Sequence, residues 1–165
     1  MSESIYTLRV SRAAAGAYPT ISDALAAADQ LYPDAEQPVM IHVDPDEYRE
    51  RVEIHRSHVT IEGETADSVR IVGSLGAKMP SEDGSGVDGT LGTFRTYTVL
   101  VDADDVRLEN LTIENDAGDG REVGQAIALY ADATVWLSMP AALRDTKTRC
   151  FWVRCRRMRP NRAGS

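Results

Sequence analysis

The sequence predicts an all-β fold with one helix near its N-terminus, on three observations. Short β-branched runs recur along most of the chain, each bounded by Gly, Asp, Asn or Pro. A single helical pattern precedes most of them, at residues 20–28. Pairs of the form Val-x-(Ile/Leu) recur from residue 52 onward. One helix followed by many short strands is compatible with a β-sandwich or a parallel β-helix, and the repeated pairs favour stacked coils.

The first strand is predicted over Ile5–Val10, where apolar and polar residues alternate. A turn containing Gly and Pro follows, and the helix then begins at Thr20 or Ser22, either of which can cap it. The helix is expected to end before Pro33, because proline breaks a helical pattern.

Seven further β-branched runs are predicted to be strands. They are Val39–Val43, Val52–Ile54, Val59–Glu62, Val69–Val72, Tyr97–Val101, Val106–Ile113 and Ala126–Leu129. The polar segment Met79–Gly92 between them is predicted to be a loop near a binding face.

Charge divides the chain into two parts. Residues 1–135 contain 10 Lys+Arg and 25 Asp+Glu, whereas residues 136–165 contain eight basic residues and one acidic residue. We therefore predict one domain over residues 1–135 and a basic tail over residues 136–165 that is disordered or poorly packed. The acidic body argues against a nucleic-acid partner, because binding phosphates needs clustered Lys and Arg.

Shorter features of the sequence bear on membrane insertion, secretion and redox chemistry. No apolar run approaches the length of a membrane span, and the first residues carry an acid and no apolar core, so no signal peptide is expected in this chain and its compartment stays undetermined. Both cysteines lie in the tail and do not indicate a redox compartment. His42, His55 and His58 are interpreted as ordinary strand or turn histidines.

Gln125 is the candidate functional residue, because it opens the small and apolar run Ala126–Leu129. A half-buried amide at the start of a strand must be hydrogen-bonded, or its burial costs a few kcal/mol. The local pattern leaves two interpretations open, a locally satisfied strand-end amide and an amide that acts on a ligand. The segments around it favour the second.

Five segments, in this order, resemble segments of the pectinesterases (pectin methylesterases). They are Gly16-Ala-Tyr-Pro-Thr-Ile-Ser-Asp-Ala-Leu25, Tyr48-Arg-Glu-Arg-Val52, Thr93-Phe-Arg-Thr-Tyr-Thr-Val99, Leu108–Gly118 and Gln125–Leu129. Two residues depart from that pattern. Asp46 stands where the family has Gly, and Tyr97 stands where it has a small residue.

This resemblance implies a right-handed parallel β-helix of the pectin-lyase-like kind, truncated because only the N-terminal portion of the family pattern is present. It implies hydrolysis of methyl esters in polygalacturonate (pectin), with no metal or other cofactor and a monomeric complete protein. Thr93 and Gln125 would line the substrate groove, and the Gln125 amide would help to hold the oxyanion. Tyr48 and Glu50 are interpreted as structural.

The catalytic segments of the family would follow downstream, and the resemblance stops near Val135. Members next show Gly-x-Gln-Asp-Thr-Leu, whose Asp donates a proton, and later an Asp nucleophile and an Arg that positions it. No matching nucleophile, proton donor or arginine stands in this chain. The resemblance therefore implies an inactive polypeptide.

The tail is compatible with the missing motif read in another frame. Starting each codon of residues 145–151 one base earlier permits Gly-His-Gln-Asp-Thr-Leu-Phe. Because each position admits only a few residue types, a fit along the whole run is not expected by chance. The neighbouring residues also fit in that frame. We therefore interpret residues 136–165 as a frameshifted tail, against the alternative of a genuine basic extension.

Two other functions stay open. One is a different enzyme on the same scaffold, an acyl-thioester hydrolase or a pectate lyase. A lyase needs calcium ligands, for which Asp102, Asp104 and Asp105 are candidates, although a turn is the simpler interpretation. The other is a non-enzymatic module that binds polygalacturonate, with the basic tail contacting its carboxylates.

Overall fold

The computed structural model describes residues 5–84, 86–137, 142–145 and 152–153, which form three parallel sheets. Strands are numbered along the chain. Sheet A contains β1 (Tyr6–Val10), β2 (Val39–Val43), β5 (Val59–Gly63), β8 (Val106–Glu109) and β11 (Val135–Leu137). Sheet B contains β3 (Asp46–Arg49), β6 (Val69–Gly73), β9 (Thr112–Asn115) and β12 (Ala142–Asp145). Sheet C contains β4 (Val52–Ile54), β7 (Val99–Val101), β10 (Leu129–Ala131) and β13 (Trp152–Val153).

Successive strands pass from sheet A to sheet B to sheet C, so that β2, β3 and β4 form one coil and the next three strands form the coil above it. Every pairing between strands of neighbouring coils is parallel. Sandwiches are built from antiparallel pairs, whereas stacked coils pair in parallel. The prediction of a parallel β-helix is therefore confirmed, and the sandwich alternative is wrong.

The core lies inside the coils and consists of stacked rows of β-branched and aliphatic side chains. Ile41, Ile61 and Leu108 are in register on neighbouring strands of sheet A, and all three are fully buried. Tyr48, Ile71 and Ile113 form the equivalent row of sheet B. Each such side chain contributes roughly 1.5–3 kcal/mol when it leaves water.

Helix α1 (Ile21–Leu31) packs on the β1, β2 and β4 end of the coils. The Thr20 side chain accepts a hydrogen bond from the Asp23 backbone N–H, as predicted for a capping residue. The helix buries one stripe against the coils, made of Ile21, Ala24, Leu25 and Ala28. The second helix, α2 (Gly120–Val123), and two 3₁₀ turns, Val87–Gly89 and Thr93–Arg95, lie in loops.

Glu50 has the structural role expected for it, because its carboxylate caps α1 from a distant part of the chain. Its two oxygens accept hydrogen bonds from the backbone N–H groups of Ile21 and Ser22, at 2.9 and 3.0 Å. The N-terminus of a helix favours negative charge and leaves N–H groups without helical partners. Tyr48 is likewise structural, since it is fully buried and its hydroxyl donates to the Asp44 carbonyl at 2.9 Å.

We predict that Glu50→Ala lowers the free energy of unfolding by about 2 kcal/mol, since three charge-assisted hydrogen bonds are lost, the two from backbone N–H groups and one from the Ser22 hydroxyl. Urea denaturation followed by circular dichroism measures the change. Glu64→Ala is the control, because Glu64 is exposed, and its effect should stay within about 0.5 kcal/mol. Equal effects of the two substitutions would contradict the capping role.

Several strand predictions differ from the structure, and the run Tyr97–Val101 is a strand only over Val99–Val101. The run Val106–Ile113 divides into β8 and β9, because Asn110 has φ of 52° and turns the chain at a corner between sheets. The strand expected at Ala126–Leu129 lies instead at Leu129–Ala131. Strand β3 went unpredicted because Tyr48 is its one fully buried side chain and its other residues are polar.

Most of the predicted tail lies outside the described residues, including both cysteines. Two described strands belong to the predicted tail: β12 pairs with β9 and β13 pairs with β10, both in parallel. The boundary at residue 136 and the disorder of the tail stay predictions. Among the residues that the structure covers, no helix has the length and apolarity to cross a membrane.

Candidate functional site

The candidate site lies at the corner where the chain passes from sheet B to sheet C. In the first coil this corner is short, since only Glu50 and Arg51 separate β3 from β4. In the next two coils it carries long loops, residues 74–98 and residues 116–128. Because the coils stack, these two loops emerge from the same edge and lie against each other.

Backbone hydrogen bonds join the two loops. The Ala77 N–H donates to the Gln125 carbonyl at 2.8 Å, and the Lys78 N–H donates to the Val123 carbonyl at 2.9 Å. Within the first loop, the Gly92 N–H donates to the Ala77 carbonyl at 3.0 Å. The Ala77 segment is therefore held between the chain leading to Thr93 and the chain containing Gln125.

Thr93 and Gln125, the two site residues predicted from the sequence, are in direct contact. The Thr93 hydroxyl Oγ1 donates to Gln125 Oε1 at 2.9 Å. This hydrogen bond assigns the orientation of the amide, with Oε1 toward Thr93 and its two N–H donors available on the other side. Gln125 is exposed and precedes β10 in the loop, so the expectation of a half-buried amide opening a strand is wrong.

Asn115 fixes the loops from inside the protein and is fully buried. Its Nδ2 atom donates to the carbonyls of Leu75, Thr96 and Ile127, at 3.1, 2.7 and 3.1 Å. Its Oδ1 atom accepts from the Ala117 N–H at 3.1 Å. The position of this residue in the strand pattern, a polar residue at an inward-facing end of β9, is the signal that sequence reasoning missed.

Thr96 holds the 3₁₀ turn that begins at Thr93. Its hydroxyl donates to the Thr93 carbonyl at 2.7 Å and accepts from the Ile127 N–H at 3.0 Å. Thr96 is buried, so these bonds are shielded from water. The Thr93 backbone is thereby tied to the segment that follows Gln125.

An aromatic surface beside the site is made of Phe94 and Tyr97, in the loop before β7, and of Tyr130, on β10 of sheet C. Phe94 is 56% exposed, and its ring lies edge-on to Tyr130 with 6.0 Å between centroids. Tyr97 stacks with Tyr130, with 6.4 Å between the ring centroids. Rings of this kind pack well against the apolar faces of sugars, and none of the three was identified as a site residue from the sequence.

Charged groups border the aromatic surface at its β4 end. The Tyr97 hydroxyl donates to Glu53 Oε1 at 2.7 Å, and this hydrogen bond is the main cause that holds the pKa of Glu53 below its usual value. Burial, with the Glu53 hydrogen bond second, raises the pKa of Tyr97. The guanidinium carbon of Arg51 lies 4.0 Å from the Tyr97 ring centroid.

The aspartates considered as calcium ligands contact other groups of the protein, Asp102 at 3.8 Å from His55 Nδ1. Asp104 accepts from the Thr134 N–H at 3.1 Å, and Asp105 has φ of 54° and contacts His58 Nδ1 at 3.1 Å. In the described part of the chain, no group of three or more His, Cys, Asp or Glu side chains is arranged to hold a metal ion. The three histidines lie in or next to strands and turns.

Comparison with known proteins shows extensive similarity to one family. The Pectinesterase family model matches residues 7–155, which extends past Val135, where the resemblance was expected to stop. Pectinesterase 31 of Arabidopsis thaliana is 29% identical over 152 residues, covering 90% of this chain and 42% of its own length. Pectinesterase A of Dickeya chrysanthemi is 31% identical over 99 residues, covering 60% of this chain and 25% of its own length.

Solved structures give the same result. A pectin methylesterase variant in complex with a hexasaccharide superposes with a TM-score of 0.69 at 27% identity, covering 81% of this chain and 42% of the other. Pectin methylesterase from carrot superposes with a TM-score of 0.64 at 25% identity, covering 82% and 41%. The chain thus spans less than half the length of these relatives. Since the family model matches most of its residues and the fold agrees, this chain belongs to the pectinesterase family.

Proposed function

We propose that this protein derives from a carboxylic ester hydrolase that removes methyl groups from methyl-esterified polygalacturonate, and that Thr93 and Gln125 belong to its substrate site. The observation that carries the proposal is the Thr93–Gln125 hydrogen bond of 2.9 Å, on two joined loops beside an exposed aromatic surface. The family match and the hexasaccharide held by the related pectin methylesterase support the substrate class.

The reaction needs a carboxylate that attacks the ester carbonyl and a second carboxylic acid that protonates the departing methanol and then activates water. Donors must also meet the oxyanion that forms on the carbonyl oxygen. Gln125 is suited to this last task, because its Oε1 atom is occupied by Thr93 and its N–H groups are the part of the amide left for a ligand.

We further propose that the printed 165 residues are catalytically inactive. Residues matching the family's nucleophile, its proton donor and its positioning arginine are absent from this sequence, and residues 136–165 are interpreted as out of frame. An oxyanion donor without a nucleophile can bind an ester and cannot cleave it. Binding is therefore the property of this chain that tests the site.

A module that binds polygalacturonate without cleaving it is the second candidate function. The observation that favours it is the exposed Phe94 ring beside Tyr130. A pectate lyase has no comparable support, because the carboxylates of Asp104 and Asp105 contact Thr134 and His58.

We expect the 165-residue chain to bind a methyl-esterified oligogalacturonate without releasing methanol. Gln125→Ala and Thr93→Val should each weaken binding about five- to tenfold, since each removes one hydrogen-bonding group or its orientation. Isothermal titration calorimetry and a methanol assay give the two readouts. Thr90→Val is the control, because that hydroxyl lies in the same loop and bonds only locally, to Val87.

Unchanged affinity in Gln125→Ala and Thr93→Val would contradict the site. Methanol release by the unaltered chain would contradict its inactivity. Binding without cleavage by a protein with the complete family motifs would establish the binding module instead.

A further inference from the structure

Arg51, Glu53 and Tyr97 form an ordered cluster on the outer side of sheet C, where β4 and β7 begin. The guanidinium carbon of Arg51 lies 4.0 Å from the Tyr97 ring centroid, within the range of a cation–π contact. The Tyr97 hydroxyl donates to Glu53 Oε1 at 2.7 Å. The ring is 9% exposed, so its position is fixed by packing as well as by this bond.

The Arg51 guanidinium is held over the Tyr97 ring but makes no short ion pair with a carboxylate of the described residues. Its nearest carboxylate atom is Glu53 Oε1, at 3.6 Å from Nη2, which is longer than a hydrogen bond. An arginine side chain has five N–H donors in a planar fork that matches a carboxylate. The Arg51 side chain is 37% exposed, so a ligand from solvent can reach it.

This cluster is continuous with the candidate site. Tyr97 stacks with Tyr130, Tyr130 meets the Phe94 ring, and Phe94 follows Thr93 in the sequence. Arg51 precedes the sheet C strand of one coil, and Gln125 precedes the sheet C strand two coils further on. Two strand spacings amount to about 10 Å. A ligand that reaches both residues is therefore longer than a single sugar.

We propose that Arg51 binds the free carboxylate of a demethylated galacturonate unit, in an oligosaccharide whose methyl-esterified unit lies at Thr93 and Gln125. The substrate class in this proposal rests on the proposed function. Tyr97, which stands where the family pattern has a small residue, supplies the ring that orients Arg51. Glu53 opposes binding, because it is a like charge beside the ligand carboxylate and attracts the same guanidinium.

The test is titration of the 165-residue chain with two oligogalacturonates of equal length, one fully demethylated and one fully methyl-esterified. Arg51→Gln should weaken binding of the demethylated ligand about tenfold, the size of one charge-assisted hydrogen bond, and change binding of the esterified ligand less than about twofold. Glu53→Gln should act in the opposite direction and strengthen binding of the demethylated ligand by a few-fold. An amide at this position still accepts from Tyr97.

Arg107→Gln is the matched control. Arg107 also lies over an aromatic ring, at 5.6 Å from Trp136, and is 44% exposed, but it belongs to sheet A. Its loss should leave both affinities unchanged. Arg51→Lys, which keeps the charge and removes the planar fork, should give an intermediate loss.

Opposite effects of Arg51→Gln and Glu53→Gln support the proposal, because damage to the fold would weaken both. Equal losses for the two ligands, or an equal loss in Arg107→Gln, would overturn it. If Arg51→Gln acts as expected and Gln125→Ala does not affect the esterified ligand, the proposed site fails and the Arg51 subsite stands. If Gln125→Ala weakens binding of the esterified ligand and Arg51→Gln does not affect the demethylated ligand, the Arg51 subsite alone is overturned.

Discussion

We expect an active esterase from the protein encoded when the coding DNA is read one base earlier from codon 136. The reading continues through the bases that follow codon 165. In that frame, residues 145–151 are replaced by a run that permits Gly-His-Gln-Asp-Thr-Leu-Phe, whose Asp would be the proton donor of the family pattern. A second aspartate and an arginine are expected further downstream. A nucleophile and a general acid together account for at least about a 10⁴-fold difference in rate.

The measurement has two parts. Resequencing the DNA from about codon 130 shows whether a base is extra or missing. A methanol assay compares the activity of the shifted-frame protein with that of the 165-residue chain. The matched control is the shifted-frame protein with Asn in place of the Asp of its Gln-Asp-Thr motif. Its rate of methanol release should be about 10²–10⁴-fold lower. Absence of the downstream aspartate and arginine from the shifted frame would contradict the frameshift, and the basic tail would then be a candidate binding element.

Asn115→Leu is expected to lower the free energy of unfolding by about 3–5 kcal/mol. The substitution leaves the carbonyls of Leu75 and Thr96 without the Nδ2 donor and the Ala117 N–H without the Oδ1 acceptor, whereas the Ile127 carbonyl keeps the Thr98 N–H as a donor at 3.0 Å. Each orphaned group costs about 1–3 kcal/mol. Because the Asn115 side chain bonds to both loops of the site, local stability should fall most in those loops.

Urea denaturation measures the global change, and hydrogen exchange measures the local one. The Ala77 and Lys78 amides, which donate across the loops, should lose protection in Asn115→Leu. Asn110→Gly is the control, since Asn110 has φ of 52°, a conformation that glycine adopts freely, and its change should stay within about 0.5 kcal/mol. A change below about 1 kcal/mol in Asn115→Leu, with protection retained, would show that other bonds hold the loops.

Local pattern was sufficient where one face of an element meets the core. The alternation of Val39–Val43 and the cap at Thr20 predicted β2 and the start of α1, and both are confirmed. Pattern failed at β3, whose four residues include one fully buried side chain, and at Asn110, where a single left-handed residue divides one apolar run into two strands. Short coils change sheet every few residues, and periodicity over so few positions does not identify the corner.

The sequence by itself determined the family resemblance, the helix, most strands and the two residues Thr93 and Gln125, because each of these depends on neighbours along the chain. The contact between those two residues, which are far apart in the chain, was decided only by the tertiary structure, since stacking places the loops after β6 and β9 on the same edge. The same stacking placed Arg51 over Tyr97. In a parallel β-helix, residues one coil apart become neighbours at about 4.8 Å, and loops of unequal length hide that relation from the sequence.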